Sequence, residues 1–378
     1  MKLMSVVGAR PNFMKIAPFI NAIKQHNASS GLPKIVHTLV HTGQHYDERM
    51  NDNFFRSLCI DAPDVNLGIG SGSHAQQVGY TMIAFEKTLV ERQPDWVVVV
   101  GDVNATLACS VTAKKMGIKV CHIEAGLRSG DMSMPEEINR LVTDRLSDLL
   151  LTPDRLSTEN LSKEGVDKSK VAFVGNIMID SLELQYDRAA LLDVRSIVSK
   201  NKMATKSIFV PPFAVVTLHR PSNVDKLETL LPIVDFMIQV SAPSLTVLWT
   251  LHPRTLKMLK EFRILDKLVE CARIILLHPL DYHEMLRLNM DAAVMITDSG
   301  GLQEECTVLG TPCLTLRKNT ERPITLREWS GVGVLVGNDM NKLAIEFQKA
   351  IRLKRSPFRP ELWDGKTAER CLQQIILH

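Results

Sequence analysis

Trp96-Val-Val-Val-Val100, followed directly by Gly101-Asp-Val-Asn-Ala-Thr106, is the stretch that decides the fold. A run that is apolar at every position fits a strand covered on both faces, as in a parallel sheet. Glycine and aspartate break the run, and Thr106–Met116 then carries the period of an amphipathic helix. Outward from this unit, short β-branched runs recur at Lys2–Val7, Ile35–His41, Lys119–His122, Leu149–Leu151 and Val171–Val174. Pro18–Gln25, Gln76–Glu91 and Glu136–Asp148 lie between them with helical period. Alternating strand and helix predicts an α/β domain built on a doubly wound sheet.

The pattern restarts after a polar stretch near Asp187–Lys206, with strands expected at Ala214–Leu218, Thr246–Thr250, Ile274–Leu277, Ala292–Ile296, Pro312–Leu316 and Gly333–Val336. A chain of 378 residues exceeds what one hydrophobic core usually serves. Two Rossmann-like domains are therefore expected, 1–175 and 176–356, with the helical segment 357–378 packing back on the first. Two such sheets facing one another would put both sets of strand-end loops on a shared cleft.

Composition narrows the partners. A net charge of +3 supplies no field for nucleic acid, so any polyanion must be small and held by local groups. No run reaches the ~20 apolar residues of a membrane span, and the start is too short in apolar residues for a signal peptide. Seven scattered cysteines without a Cys-x-x-Cys pair read as reduced thiols, so a cytoplasmic protein is expected. His41 and His45 have metal-like spacing but flank Gly43 in a loop, and no lysine has a pyridoxal-phosphate setting. Neither a metal nor a cofactor is expected.

In doubly wound sheets ligands sit beyond the carboxyl ends of the strands, and that rule selects the polar residues of interest. Gly8-Ala-Arg-Pro-Asn-Phe-Met-Lys15 brings Arg10 and Lys15 to a helix start, where backbone N–H groups favour an anion; a solvated basic pair is the plain alternative. Asp102 follows the all-apolar strand and reads either as a helix cap or as a catalytic acid. Glu124, in His122-Ile-Glu-Ala-Gly-Leu-Arg128, stands between apolar residues and a glycine, an odd place for a solvated carboxylate. Glu136, in Met134-Pro-Glu-Glu-Ile-Asn-Arg140, opens a helix and on its own answers the helix dipole. Three carboxylates on the strand-end loops of one sheet point together to acid/base work.

The second half supplies cations and a phosphate cradle. His219 and Arg220 end a strand in Val215-Val-Thr-Leu-His-Arg-Pro221. In Thr297-Asp-Ser-Gly-Gly-Leu-Gln-Glu-Glu305, Ser299, Gly300 and Gly301 would expose backbone N–H groups to a diphosphate, with Glu305 placed to accept from ribose hydroxyls; a plain Gly-rich turn competes. Arg322 follows the next strand in Thr320-Glu-Arg-Pro323.

Taken in order, G-A-R-P-N-F-M-K, T-G-Q-H-Y-D, V-G-D-V-N-A-T, H-I-E-A-G-L-R, M-P-E-E-I-N-R, T-D-S-G-G-L-Q-E-E and T-E-R-P make the chain resemble the non-hydrolysing UDP-N-acetylglucosamine 2-epimerase family over almost its whole length. The resemblance implies a GT-B architecture, two Rossmann-like domains facing a central cleft that closes on UDP. It implies cofactor-free interconversion of UDP-GlcNAc and UDP-ManNAc through elimination of UDP, a 2-acetamidoglucal, and re-addition, supplying ManNAc units for cell-surface polysaccharide. By family position Asp102, Glu124 and Glu136 are the acid/base residues. His219, placed with them in the reacting site, would hold the phosphates with Arg10, Lys15 and Arg322, while Ser299, Gly300, Gly301 and Glu305 take the UDP. A homodimer is likewise implied.

Many bacterial members carry a regulatory UDP-GlcNAc pocket built partly on a Q-H-R-Q-type loop. Here that loop reads Gln44-His-Tyr-Asp47, which keeps Gln44 but has Tyr and Asp where the pattern has Arg and Gln. The alternatives are a 2-epimerase for a modified UDP-diacetamido sugar, a hydrolysing 2-epimerase, a GT-B glycosyltransferase, and an inactive sugar-nucleotide sensor. The last would need a missing carboxylate, and none is missing.

Overall fold

The computed structural model describes residues 1–378 except 44–54, 56, 57, 59, 204, 205 and 242–244, and it leaves the Arg10 side chain undescribed. Two compact units emerge: Met1–Leu184 with Pro360–His378, and Gln185–Arg359. The division falls inside the helix Ile177–Ala190, past the strand end near 175 where the sequence suggested it.

In the first unit the strands are β1 (Lys2–Val7), β2 (Val36–His41), β3 (Val65–Asn66), β4 (Trp96–Val100), β5 (Lys119–Ile123), β6 (Leu149–Thr152) and β7 (Val171–Phe173). They form one sheet in the order β3-β2-β1-β4-β5-β6-β7, and every pairing is parallel. In the second, β8 (Phe213–Thr217), β9 (Thr246–Thr250), β10 (Ile274–Leu277), β11 (Val294–Thr297), β12 (Cys313–Thr315) and β13 (Gly333–Leu335) run in the order β10-β9-β8-β11-β12-β13, again all parallel. Both are doubly wound Rossmann-like sheets.

The all-apolar strands follow from this layering. In the second unit Ala214, Val216, Val247, Trp249, Ile274, Leu276 and Val294 enter one buried cluster. Their alternating neighbours Phe213, Val215, Leu248, Ile275 and Met295 enter another on the opposite face. Neither face meets water, so the central positions of these strands are apolar on both faces, with threonines confined to strand ends. Trp96–Val100 is buried at every position for the same reason.

The first helix differs from its expected extent. It spans Arg10–Ala28, with Pro11 in its first turn and Pro18 inside it, whereas the sequence placed its start at Pro18. Proline inside a helix withholds the hydrogen bond to the carbonyl four residues earlier, here Met14. Ser181 donates its hydroxyl to that Met14 oxygen, so the lost bond is replaced from another helix and the first helix runs on.

The C-terminal segment is fastened to the first unit by specific bonds. Trp363 Nε1 donates to the Pro153 oxygen at 2.9 Å. The Asp180 carboxylate accepts the N–H groups of Thr367 (3.1 Å) and Ala368 (2.7 Å), taking up first-turn donors of the helix Thr367–Leu377 that have no partner within it.

Candidate active site

Strand order reverses at β1/β4 in the first unit and at β8/β11 in the second, and the selected residues gather past those strands. Beyond β1, Asn12 braces the start of the first helix. Its Oδ1 accepts from Ala9 N at 3.1 Å, and its Nδ2 donates to the Val100 oxygen at 3.1 Å, tying the helix to the end of β4. Lys15, in the second turn, reaches Glu124 with Nζ 2.5 Å from Oε2. Glu124 lies just past β5, is only 3% exposed, and adopts φ +70. A carboxylate this deeply buried requires a cation, and Lys15 is that partner. Gly101 makes room for the pair: a Cβ there would stand 3.3 Å from Glu124 Oε2 and 3.4 Å from Lys15 Nζ, and its φ is +72. Arg10 opens this helix, but its side chain lies outside the described residues, as does Gln44.

Asp102 does not cap a helix. The helix Asn104–Lys115 has Val103 at its N-cap and no side-chain cap bond. The Asp102 carboxylate is instead ion-paired with Arg140, and its backbone oxygen accepts from Asn139 Nδ2 at 2.8 Å. Arg140 is fixed in turn by Glu137, Nη2 to Oε2 at 2.5 Å. Burial alone would raise the Glu137 carboxyl, but the Ser129 and Gly130 N–H groups and the Arg140 guanidinium outweigh it and hold it below its ordinary range. The Asp102 side chain is 26% exposed against 2% for Arg140, so the carboxylate is gripped from behind and presents an open edge. Glu136 is half-buried in the first turn of the helix Pro135–Leu146 that carries Arg140.

In the second unit Asp298, just past β11, organises the end of β8. Its carboxylate accepts from the backbone N–H of His219 (3.1 Å) and Arg220 (2.9 Å), from Asn223 Nδ2 (2.9 Å) and from His219 Nδ1 (2.9 Å). These donors outweigh the effect of burial and lower the Asp298 pKa. With Nδ1 bound to a carboxylate, the tautomer is set and His219 Nε2 points outward from a ring that is 42% exposed. His252, just past β9, lies beside it with ring centroids 5.7 Å apart. Burial and the His219 ring lower the His252 pKa.

Ser299 is the N-cap of the helix Gly300–Leu309 but makes no side-chain cap bond. The helix therefore begins with N–H groups its cap residue leaves to another acceptor, as an anion site requires. Arg322 lies directly beneath. A Cβ on Gly300 would stand 2.7 Å from Arg322 Nη1 and from Glu321 Oε1. Arg322, expected among the phosphate-holding cations, is 5% exposed and paired with Glu304 (2.6 Å) and Glu321 (2.5 Å), a buried, acid-bound guanidinium behind Gly300. Glu305 is 3% exposed, and burial pushes its carboxyl up to about 7 despite the neighbouring Tyr282 hydroxyl.

The structure thus brings Lys15, Glu124 and Asp102 together past the first sheet, and His219, Ser299, Gly300 and Gly301 past the second. Sequence reasoning did not select Glu137, Arg140, Asp298 or His252. Asp298 and Arg140 stood inside recognised motifs, and the strand-end rule applied to Thr250-Leu-His-Pro253 would have found His252.

Two doubly wound parallel units, each with charged side chains collected at its switch point, define a protein of the GT-B class. The chain belongs to the UDP-N-acetylglucosamine 2-epimerase family, whose model matches residues 27–376. The UDP-N-acetylglucosamine 2-epimerase of Methanocaldococcus jannaschii is 39% identical over 99% of this chain and 98% of its own length. A crystal structure of the M. jannaschii UDP-GlcNAc 2-epimerase in complex with UDP-GlcNAc and UDP superposes with a TM-score of 0.88 at 38% identity, covering 100% of both chains. The UDP-2,3-diacetamido-2,3-dideoxy-D-glucuronate 2-epimerase of Pseudomonas aeruginosa is 36% identical over 89% of this chain and 88% of its own.

Proposed function

We propose that the protein is a non-hydrolysing epimerase that interconverts UDP-GlcNAc and UDP-ManNAc. The observation that carries this reading is the pair of buttressed carboxylates past adjacent strands: Glu124 held by Lys15, and Asp102 held by Arg140 with one edge open. A reaction that removes a proton from sugar carbon 2 and returns it to the opposite face needs two carboxyl groups able to exchange protons. In the forward direction a carboxylate takes the C2 proton and the C1–O bond breaks. UDP departs with that electron pair, leaving a 2-acetamidoglucal with a C1–C2 double bond. Protonation of C2 from the other face and return of UDP to C1 complete the cycle, with no water consumed.

The second unit's share is to hold the UDP. The N–H groups beginning Gly300–Leu309 suit a diphosphate whose charge grows as C1–O breaks, and because Nδ1 of His219 donates to Asp298, its outward Nε2 joins them as a donor only when the ring carries both protons. Arg322, paired with Glu304 and Glu321 behind Gly300, contributes by keeping that end of the helix in place. Glu136 is the third candidate proton carrier, and Arg10 and Lys15 are the cations of the first unit. Likeness to the M. jannaschii enzyme supports this substrate. The P. aeruginosa relative favours a second reading, the same chemistry on a diacetamido UDP-sugar.

A cytoplasmic homodimer feeding polysaccharide synthesis completes the reading. All six cysteines among the described residues are unpaired, which suits a reducing compartment. Tyr80, Ile83 and Val90 stand exposed along the helix His74–Arg92, a face suited to a second copy.

Proton NMR of the purified protein with UDP-GlcNAc in deuterated water tests the function. UDP-ManNAc carrying deuterium at sugar carbon 2, with no free sugar, is the expected result. Free ManNAc with UDP points to hydrolysis instead. An unchanged spectrum, with turnover of the diacetamido sugar, favours the second reading.

A further inference from the structure

We propose that Asp144 and His122 form a buried positioning pair that sets the geometry of both Asp102 and Glu124. The proposal rests on the reading in which those two carboxylates move protons. His122 lies on β5 and is 0% exposed, and its ring is held at both nitrogens. Nε2 is 2.9 Å from the Gly101 oxygen, which only accepts, so Nε2 carries a proton and donates it to the carbonyl immediately before Asp102. Nδ1 is 2.6 Å from Asp144 Oδ1.

Asp144, 2% exposed, lies on the helix Pro135–Leu146 one turn beyond Arg140. Its second oxygen accepts from Gly126 N at 3.0 Å and from Arg128 Nη1 at 2.7 Å. Arg128 is held on its far side by Glu164 at 2.7 Å. One carboxylate therefore fixes the backbone on both sides of Glu124: the strand residue His122 before it and Gly126 after it. Through the imidazole it also fixes the carbonyl before Asp102, while Arg140 on the same helix holds the Asp102 side chain. The helix is a single jig for both loops.

Packing alone does not call for this arrangement. Replacing buried ionic groups by apolar side chains of similar volume is often neutral or stabilising, so a buried Asp–His–Arg set is weak as a device for stability. It is well suited to holding Glu124 at φ +70, a backbone conformation that is strained for a non-glycine residue and persists only when its surroundings over-determine it. Neither group needs to touch the sugar, and both act through the residues they hold.

The test compares Asp144→Asn, His122→Gln and His122→Asn with wild type for kcat, KM, the pH profile of kcat, UDP affinity by calorimetry and thermal midpoint. Glutamine carries its amide near the Nε2 position and keeps the bond to Gly101, whereas asparagine keeps only a donor toward Asp144. Loss of a supporting partner of this kind costs roughly 10- to 100-fold. The expected result is such a fall in kcat for Asp144→Asn and His122→Asn, an altered pH profile, UDP affinity within about threefold of wild type, and partial rescue in His122→Gln. The threefold and rescue criteria separate misplacement of the carboxylates from general loosening. Variants with wild-type kcat and pH profile overturn the proposal. So does a fall in kcat matched by equal losses of UDP affinity and of folded protein. Wild-type turnover in Asp102→Asn and Glu124→Gln overturns the reading beneath it, and the proposal falls with that reading.

Discussion

Glu124 combines features that a surface carboxylate does not need: burial, φ +70, a lysine 2.5 Å away and a facing glycine without a side chain. Replacing it with glutamine keeps the shape and removes the proton-carrying group. Glu124→Gln is expected to lower kcat by about 10²- to 10⁴-fold with UDP affinity nearly unchanged. Steady-state kinetics paired with calorimetry checks this, and a variant within about threefold of wild type removes Glu124 from proton transfer. Glu305 makes a different prediction. Burial holds its carboxyl at about 7 in the folded protein, above the ordinary 4.5 of a glutamate. Below pH 4.5 both states are protonated and Glu305 exacts no penalty. Between pH 4.5 and 7 the unfolded chain releases the proton while the folded one keeps it, so stability falls with rising pH and levels off above 7. Glu305→Gln cannot ionise, so its stability relative to wild type should improve across that window by at most about 3 kcal/mol. Urea unfolding at pH 4.5 and pH 8 measures it; a constant difference would show that Glu305 does not titrate there.

At the scale of elements, the Pro18 helix shows where sequence reading stops. Proline ordinarily marks a helix start or break, and the carbonyl it leaves unbonded is visible in the sequence. Its replacement donor is not: Ser181 lies far along the chain, and only the fold brings it to Met14. Ser181→Ala should leave that buried carbonyl without its donor and destabilise the protein by about 1–3 kcal/mol. Denaturant unfolding reads this directly, and an unchanged midpoint would show that the serine bond contributes nothing. The strands were far more legible, because continuous apolar runs ended by Gly-Asp or Leu-His fix both the parallel sheet and its ligand-facing end. Gly300 illustrates the intermediate case. The sequence marks a phosphate turn, while the reason for glycine, an Arg322–Glu321 pair packed against its Cα, belongs to tertiary structure. Gly300→Ala is therefore expected to displace that pair and weaken UDP binding by tenfold or more, with calorimetry as the check; wild-type affinity would show that the glycine is not needed for close approach.

For the whole molecule, two doubly wound sheets and their switch points were readable because the restart of the strand–helix pattern is periodic and local. The partners of the site residues were not. Arg140 holding Asp102, Asp298 orienting His219, and Glu304 pairing with Arg322 all join segments that approach only in the folded unit. Sequence motifs named the candidate site residues, and the structure supplied the groups that hold them. The central claim concerns the whole catalytic cycle: epimerisation at carbon 2 proceeds by breaking and remaking the sugar C1–O bond. Positional isotope exchange tests it most directly, using UDP-GlcNAc carrying oxygen-18 in the bridge between C1 and the β-phosphorus. The account predicts that the label spreads from the bridge to the non-bridging β-phosphate oxygens as UDP-ManNAc forms. Epimerisation with the label fixed in the bridge would contradict it, because the UDP would never have left.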